Sequence, residues 1–508
     1  MTGDPKGKPG AASADLLTWR SIDWSRVRKN VHRLQVRIAK AVQQKRWGKV
    51  QALQRVLATS WSAKALAVKT VTSNKGKNTP GVDGIIWKSA KAKLQAINTL
   101  KRRGYKSLPL RRITIPKANG KKRPLGIPTM RDRAMQALHA SALLPIAETL
   151  ADPHSYGFRP KRCVADATVQ CHIVLSRKVA PQWILEGDIK ACFDRISHQW
   201  LLRNIPMDKT ILRQWLKAGF IEDNAFHETK EGTPQGGIIS PILANMVLDG
   251  LQEMLRQRFP KGSKVNFIRY ADDFLCTAEA PETLRDFVKP ALEDFLQERG
   301  LTLSQEKTLI THIDEGFDFL GFHIRKYHGK LLIQPSKAKI KALRERIREK
   351  AKGLRRDQTW KTISSLNLLL RGWGNYYRHA VSSRAFNSID HYVFQTIWRE
   401  LRRRHPKKSA SWKRVQYFPP KGRNRWILSG EEREKHRNRR HFLFQMGSLK
   451  IKRHIKLKSK ATPFDPAYTE YLRRRGGIKK TTRIREKVKS SILTTTWQAN
   501  RPEPKNLV

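Results

Sequence analysis

Acid, cysteine and long apolar runs are what this chain has least of. Its 508 residues hold 42 Asp and Glu against 103 Lys and Arg, a formal net charge of +61. The four cysteines, Cys163, Cys171, Cys192 and Cys276, form no CxxC pair, which excludes an encoded zinc finger or disulfide framework and leaves buried or inert thiols. No stretch of about 18 uninterrupted apolar residues occurs, and the opening MTGDPKGKPGAASADLL has no apolar signal-peptide core. A membrane span and secretion are therefore excluded, and a soluble, intracellular protein is expected. What is present is a 39% hydrophobic complement, enough for real cores. The surplus cations repel one another unless a polyanion neutralises them, so nucleic acid is the default partner.

Residues 1–18, rich in Gly, Pro, Ala and Ser, read as a mobile leader. From Trp24 to Lys69, Val27, Val31, Leu34, Ile38 and Val42 recur at spacings of three and four, and Leu53, Val56 and Leu57 resume the pattern. Two amphipathic helices follow, with Arg26, Arg28, Lys29, Arg33, Arg37 and Lys40 on the outer face. That face suits either solvent or RNA, and the global charge favours RNA. SNKGKNTPGVDG (73–84) reads as a loop. LRRITIPKANGKKRPLGIPT (110–129) alternates apolar and basic residues about Asn-Gly, predicting a β-hairpin with a cationic tip. Helical spacing returns over 130–151. WILEGDIKACFD (183–194) starts as an apolar strand, and NFIRYADDFLCTA (266–278) reads as two strands about a tight turn, so both acidic clusters fall at strand ends. After residue 335 helical patterns dominate to residue 404, and 405–508 reads as a basic, loop-rich region. No repeat of 20–50 residues is detectable.

In so basic a chain, Asp188 and the adjacent Asp272 and Asp273 stand out. Carboxylates on apolar strand ends need a pairing cation, and a divalent metal supplies one. Mg²⁺ takes a few carboxylate oxygens plus water and phosphates, and paired ions serve in-line phosphoryl transfer. Asp-Asp alone would be an ordinary polar turn. The flanking Tyr270, Ala271 and Phe274 leave no Gly or Asn of the kind a solvated hairpin carries.

The ordered motifs GDIKACFD (187–194), TPQGGIISPILANMVLD (233–249), YADD (270–273), GLTLSQEKT (300–308) and FDFLGFHI (317–324) resemble those of reverse transcriptases. With LQVRIAKAVQQKRWGKVQALQ, NTPGVDG, IPKANGKKRPLGIPT, SYGFRPKR (155–162) and LRGWGNYYRH (370–379), the chain resembles bacterial group II intron-encoded reverse transcriptase/maturases from Trp19 to about residue 475. The resemblance implies an α+β fold: a right-hand polymerase of fingers and palm with an antiparallel sheet over 19–335, preceded by a basic helical extension. An α-helical thumb, the maturase domain X, would occupy 336–404, and a basic DNA-binding region and tail 405–508. The implied enzyme is an RNA-directed DNA polymerase that binds its intron RNA, promotes splicing and supports retromobility. Its partners would be intron RNA, target DNA, an RNA template with DNA primer, and dNTPs, in the bacterial cytoplasm at the nucleoid. Oligomeric state is left open.

By the same resemblance, Asp188, Asp272 and Asp273, with the Ile189 carbonyl, hold two Mg²⁺ ions, for which Mn²⁺ could substitute. Phe193 excludes a ribose 2′-OH by clash; without the family it could be a core Phe. Lys117 and Arg123 grasp the triphosphate, where the residues alone would suggest a solvated charge run. Gln235 and Gly236 lie against template and nucleotide. Lys307 protonates the leaving pyrophosphate, with a plain surface lysine the competing reading. Phe319, Leu320 and Gly321 form the primer grip, or a buried hairpin. Arg371, Trp373, Tyr376, Tyr377 and Arg378 suit stacking or backbone contact on nucleic acid, with half of the aromatics serving the core. RRRHPKK (402–408), EREKHRNRR (432–440) and KIKRHIKLKSK (450–460) are phosphate-binding candidates. Many relatives continue past a segment like TPFDPAYTEYL (462–472) into an HNH endonuclease; no CxxC or His cluster marks one here, so target-strand cleavage is not expected and a primer would come from elsewhere. Two other readings stand beside this one: a splicing cofactor with a vestigial polymerase, and a relative recruited to phage defence or DNA repair.

Overall fold

The computed structural model describes residues 18–116, 120, 122–223, 225–233, 236–260, 262–420, 426–434 and 437–475. The N-terminal helices number three rather than the two expected: α1 (Trp24–Gln43), α2 (Trp47–Thr59) and α3 (Trp61–Ser73). Continuous apolar spacing concealed the break at Ser60, whose extended ψ of 127° ends one helix and starts the next. Asp23 caps α1 by accepting from the amides of Ser25 and Arg26. Arg26, Arg28, Lys29, Arg33, Arg37 and Lys40 are all exposed. After α4 (Ala90–Thr99) comes the hairpin, β1 (Leu110–Pro116) and β2 (Lys122–Ile127), antiparallel as its alternation predicts.

Helix α5 (Met130–Leu150), buried on nearly every side and carrying buried Asp132, Arg133, Gln136 and Glu148 among its apolar residues, runs through the core, and α1 and α3 pack on it. Next are α6 (Val164–Leu175), β3 (Trp183–Gly187), α7 (Cys192–Arg195), α8 (His198–Asn204), α9 (Lys209–Leu216), β4 (Phe220–Glu222) and β5 (Ala225–His227). Then α10 (Ser240–Leu248), α11 (Leu251–Arg258), β6 (Asn266–Tyr270), β7 (Asp273–Ala278), α12 (Lys289–Gln297) and β8 (Leu309–His312) complete the central unit. The palm sheet is antiparallel in the order β6-β7-β3-β8, and β2-β1-β4-β5 forms a second sheet.

Strands β9 (Phe317–Phe319), β10 (Phe322–Tyr327) and β11 (Lys330–Pro335) form a third sheet leading into the helices α13 (Lys337–Ala351), α14 (Thr359–Tyr377), α15 (Ser383–Arg404) and α16 (Ala410–Tyr417). The region beyond residue 404 is less loop-like than expected: α16 extends the helical run, and a hairpin of β12 (Ser429–Glu434) and β13 (Arg437–Phe442) packs on α14. Asn367 clips that hairpin in place, donating to the Phe442 carbonyl and accepting from the Phe444 amide. Two cores result. One joins the N-terminal helices to one face of the palm, and the other joins the opposite face to α13–α15. Among the described residues no helix is long and apolar enough to cross a membrane.

Candidate active site

Strand register sets the acidic cluster. Gly187 pairs with Phe274 and Tyr270 with Asp273, so continuing the β3–β7 register by one residue brings Asp188 level with Asp273. Asp272 occupies the β6–β7 turn beside Ala271, whose φ of +61° is left-handed. That conformation costs a non-glycine residue about 1–2 kcal/mol and needs surroundings that enforce it.

The enforcing groups are buried and escaped the sequence reading. Arg269, fully buried, donates to the Asp249 carboxylate, to Asn245 Oδ1 at 3.1 Å and to the Ala271 carbonyl at 3.3 Å. Burial raises Asp249 to about 6, against the opposing pull of the Arg269 charge. Asn245 also donates to the Gly157 carbonyl at 2.9 Å. A Cβ on Gly157 would lie 2.2 Å from the Ala271 nitrogen, so glycine is required there for contact with the turn. The signal lay in SYGFRP and SPILANMVLD, motifs that carried the resemblance but no assigned role.

The acidic groups repel. Asp273 is pushed up to about 6, by desolvation first and then by Asp272 and Asp188, although its side chain keeps solvent contact. Asp272 is raised by burial chiefly, and the charge of Asp188 adds to it. Lys307 relieves the cluster: its Nζ lies 2.7 Å from Asp188 Oδ2, and that hydrogen bond raises the lysine above its ordinary value. The segment 188–190 pairs with 302–304 through the Asp188 carbonyl and the Lys190 amide, so the Ile189 carbonyl is not consumed by that bridge. The donor set suits a divalent cation: Asp188 and Asp272 line one cleft, with the Lys307 ammonium as counter-charge on Asp188.

A cleft of about 730 Å³ opens over the cluster, lined by Asp188, Ile189, Phe193, Asp272, Lys307 and, from β2, Arg123. Phe193 is half-buried and stands edge-on to Phe158, ring centres 6.3 Å apart. Its carbonyl receives the Thr233 amide, tethering the TPQGG loop. Gly236 has φ +112°, and a Cβ there would meet the Gly126 carbonyl at 2.6 Å, so the loop lies directly on the hairpin. Lys117 and Gln235 lie outside the described residues.

Phe319, Leu320 and Gly321 join the LRGWGNYYRH residues at one seam. Leu320 and Gly321 both have positive φ, the signature of a type I′ turn between β9 and β10. Tyr376 Oη donates to the Leu320 carbonyl at 2.9 Å and Tyr377 Oη to that of Gly321 at 3.1 Å. Trp373 packs on Tyr377, ring centres 4.2 Å apart. Arg371 lies over Phe444, and Arg378 donates to Asn375 Oδ1 and the Lys450 carbonyl. The hydroxyls, Trp373 and the two arginines thus hold the protein together here, while the Tyr376 ring keeps an exposed face.

Three of the cysteines are buried, as expected, but Cys163 lies beside buried Asp166 and His454. Asp166 accepts from His454 Nε2 and the Leu457 amide, each at 2.8 Å, and from the Cys163 amide at 3.0 Å. Segment 454–457 is thereby clasped onto α6, a contact that sequence separation hid.

Three family models match the chain. Residues 115–324 match the family model of the reverse transcriptase (RNA-dependent DNA polymerase), 19–100 the N-terminal domain of reverse transcriptase, and 340–418 the group II intron maturase-specific domain. Protein YkfC of Escherichia coli is 33% identical over 334 residues, covering 56% of this chain and 86% of the relative. The group II intron-encoded protein LtrA of Lactococcus lactis is 29% identical over 434 residues, covering 65% and 70%. An uncharacterized 91 kDa protein in the cob intron of Schizosaccharomyces pombe is 28% identical, covering 65% and 51%.

Proposed function

The chain belongs to the group II intron reverse transcriptase/maturases, and from that premise we propose how its residues divide the work. It is an RNA-directed DNA polymerase with a maturase domain. The observation that carries the site assignment is the meeting of Asp188, Asp272 and Lys307 in one cleft with Arg123 opposite.

In this reading Asp188 and Asp272, helped by Asp273 and the Ile189 carbonyl, would hold two Mg²⁺ ions. Such ions, when bound, activate the primer 3′-hydroxyl and neutralise charge on the departing pyrophosphate. The 3′-oxygen forms a bond to the dNTP α-phosphorus as the bond to the bridging oxygen of the β-phosphate breaks. Lys307, protonated at neutral pH and on the cleft wall, offers its proton to the pyrophosphate oxygen. Arg123, with Lys117, grips the triphosphate. Phe193 crowds the sugar where a ribose would carry its 2′-hydroxyl. Gln235 and Gly236 bear on template and nucleotide, and the Phe319–Gly321 turn aligns the primer. Intron RNA is held by the exposed cations of α1 and by the helices after residue 335, target DNA by the basic region beyond them.

Asp272→Ala with Asp273→Ala abolishes primer extension on an RNA template with Mg²⁺ and dNTPs; continued extension would refute the site. Splicing by the same variant survives if RNA binding resides in the basic helices and maturase domain.

A further inference from the structure

A second cavity, of about 610 Å³, opens where α2 and the loop after α4 meet α5 and the start of α9, and it shares no lining residue with the catalytic cleft. Its volume suits a ligand of nucleotide size. Inside, Leu100, Met135, Leu138, Ala142 and Met207 form an apolar wall. His139 lines it too, and burial lowers this imidazole to about 4, so it stands there as an uncharged hydrogen-bonding group.

The rim has the opposite character. Its one carboxylate, Asp208, is taken by Arg102. Arg55, Lys64, Lys101 and Arg103 are left without a carboxylate among the described lining residues. Burial and the neighbouring charge of Lys101 both lower Lys64, so the rim's cations oppose one another until an anion joins them.

An uncharged interior behind a cationic rim complements a nucleotide, with base inside and phosphate outside. We propose that this cavity receives one unstacked nucleotide of an RNA strand bound across the N-terminal helices, an inference that rests on the RNA-binding reading above. RNA recognition favours unpaired bases that can be splayed from the strand. A strand is favoured over a free nucleotide because exposed cations continue along the same helix, at Lys49, and at Lys45 and Arg46 just before it. Those are placed for flanking phosphates, which a mononucleotide lacks.

The test uses the full chain and fluorescein-labelled 12-nucleotide single-stranded RNA, with the same backbone made abasic as the control, titrated by anisotropy at fixed salt. Ala58 lines the cavity from a partly exposed position on α2, so Ala58→Trp fills it without replacing a core residue. This variant should bind the base-bearing strand about tenfold more weakly, with abasic binding and primer extension unchanged. Lys64→Glu with Lys101→Glu should weaken both strands. Wild-type affinity of folded Ala58→Trp for the base-bearing strand would overturn the proposal. So would a 4-thiouridine strand that crosslinks to wild-type protein only outside residues 51–64, 100–103, 135–142 and 206–210. Millimolar AMP that displaces those crosslinks and binds as tightly as the strand would reassign the cavity to free nucleotides. Wild-type protein binding neither strand would instead overturn the RNA-binding reading.

Discussion

The strained Ala271 is held by residues that touch no substrate. Gly157 lets its loop lie against the turn, and buried Arg269 ties the Ala271 carbonyl to Asp249. Gly157→Ala should displace the YADD turn, lowering the primer-extension rate constant at least tenfold, with a stability loss of about 1–3 kcal/mol from overpacking; extension rates and urea melts check both. Unchanged extension by a folded Gly157→Ala would sink this account of the turn. Asp188, Asp272 and Asp273 were legible in the sequence because acid on an apolar strand end stands out in a basic chain. Arg269 was not, since one arginine among 103 basic residues is marked only by its burial, and burial depends on partners 20 and 24 residues away.

Elements couple through two joints. At the first, α14 sets the β9–β10 turn by two tyrosine hydroxyls, each bond contributing about 1 kcal/mol. If the turn aligns the primer as proposed, Tyr376→Phe with Tyr377→Phe should raise the KM for primer–template several-fold while the KM for dNTP stays constant; steady-state kinetics with each substrate varied decide it. The second joint is the Asp166–His454 clasp. Burial alone would lower His454, but the Asp166 hydrogen bond, then Cys163, raise it to about 9. Burial alone would raise Asp166, but His454, the Leu457 amide and Cys163 bring it down to about 2. The histidine contribution is therefore complete below its ordinary value of 6.5 and fades as pH rises through 9, while the aspartate contribution is complete above 3.8 and is lost as pH falls through 2. The melting-temperature difference between wild type and His454→Gln should be largest near pH 5–6 and shrink toward pH 9. Local patterns announced the hairpin, the palm strands and α5. The clasp, joining residues 288 apart, left no local pattern, and the Ser60 break left none because apolar spacing runs straight through it.

At the scale of the whole molecule, a chain of net charge +61 carries exposed cations along α1 and α2, while Asp188 and Asp272 share one cleft. RNA affinity should fall roughly 10³-fold or more between about 50 and 200 mM salt, as expected for six or more phosphate contacts; a flat salt response in filter binding would remove phosphate contact as its source. Composition foretold a polyanion, and motif order foretold the polymerase and maturase parts, because both are written along the chain. Which cations stand around a cavity and which around the cleft emerged only once the helices were packed. The clasp also imposes a timetable on synthesis. A ribosome adding roughly 5–20 residues per second needs roughly 15–60 s between making Asp166 and making His454. Throughout that interval the nascent palm carries a carboxylate whose partner in the finished fold has yet to be translated, so α6 offers a chaperone a binding face that closes only when His454 arrives.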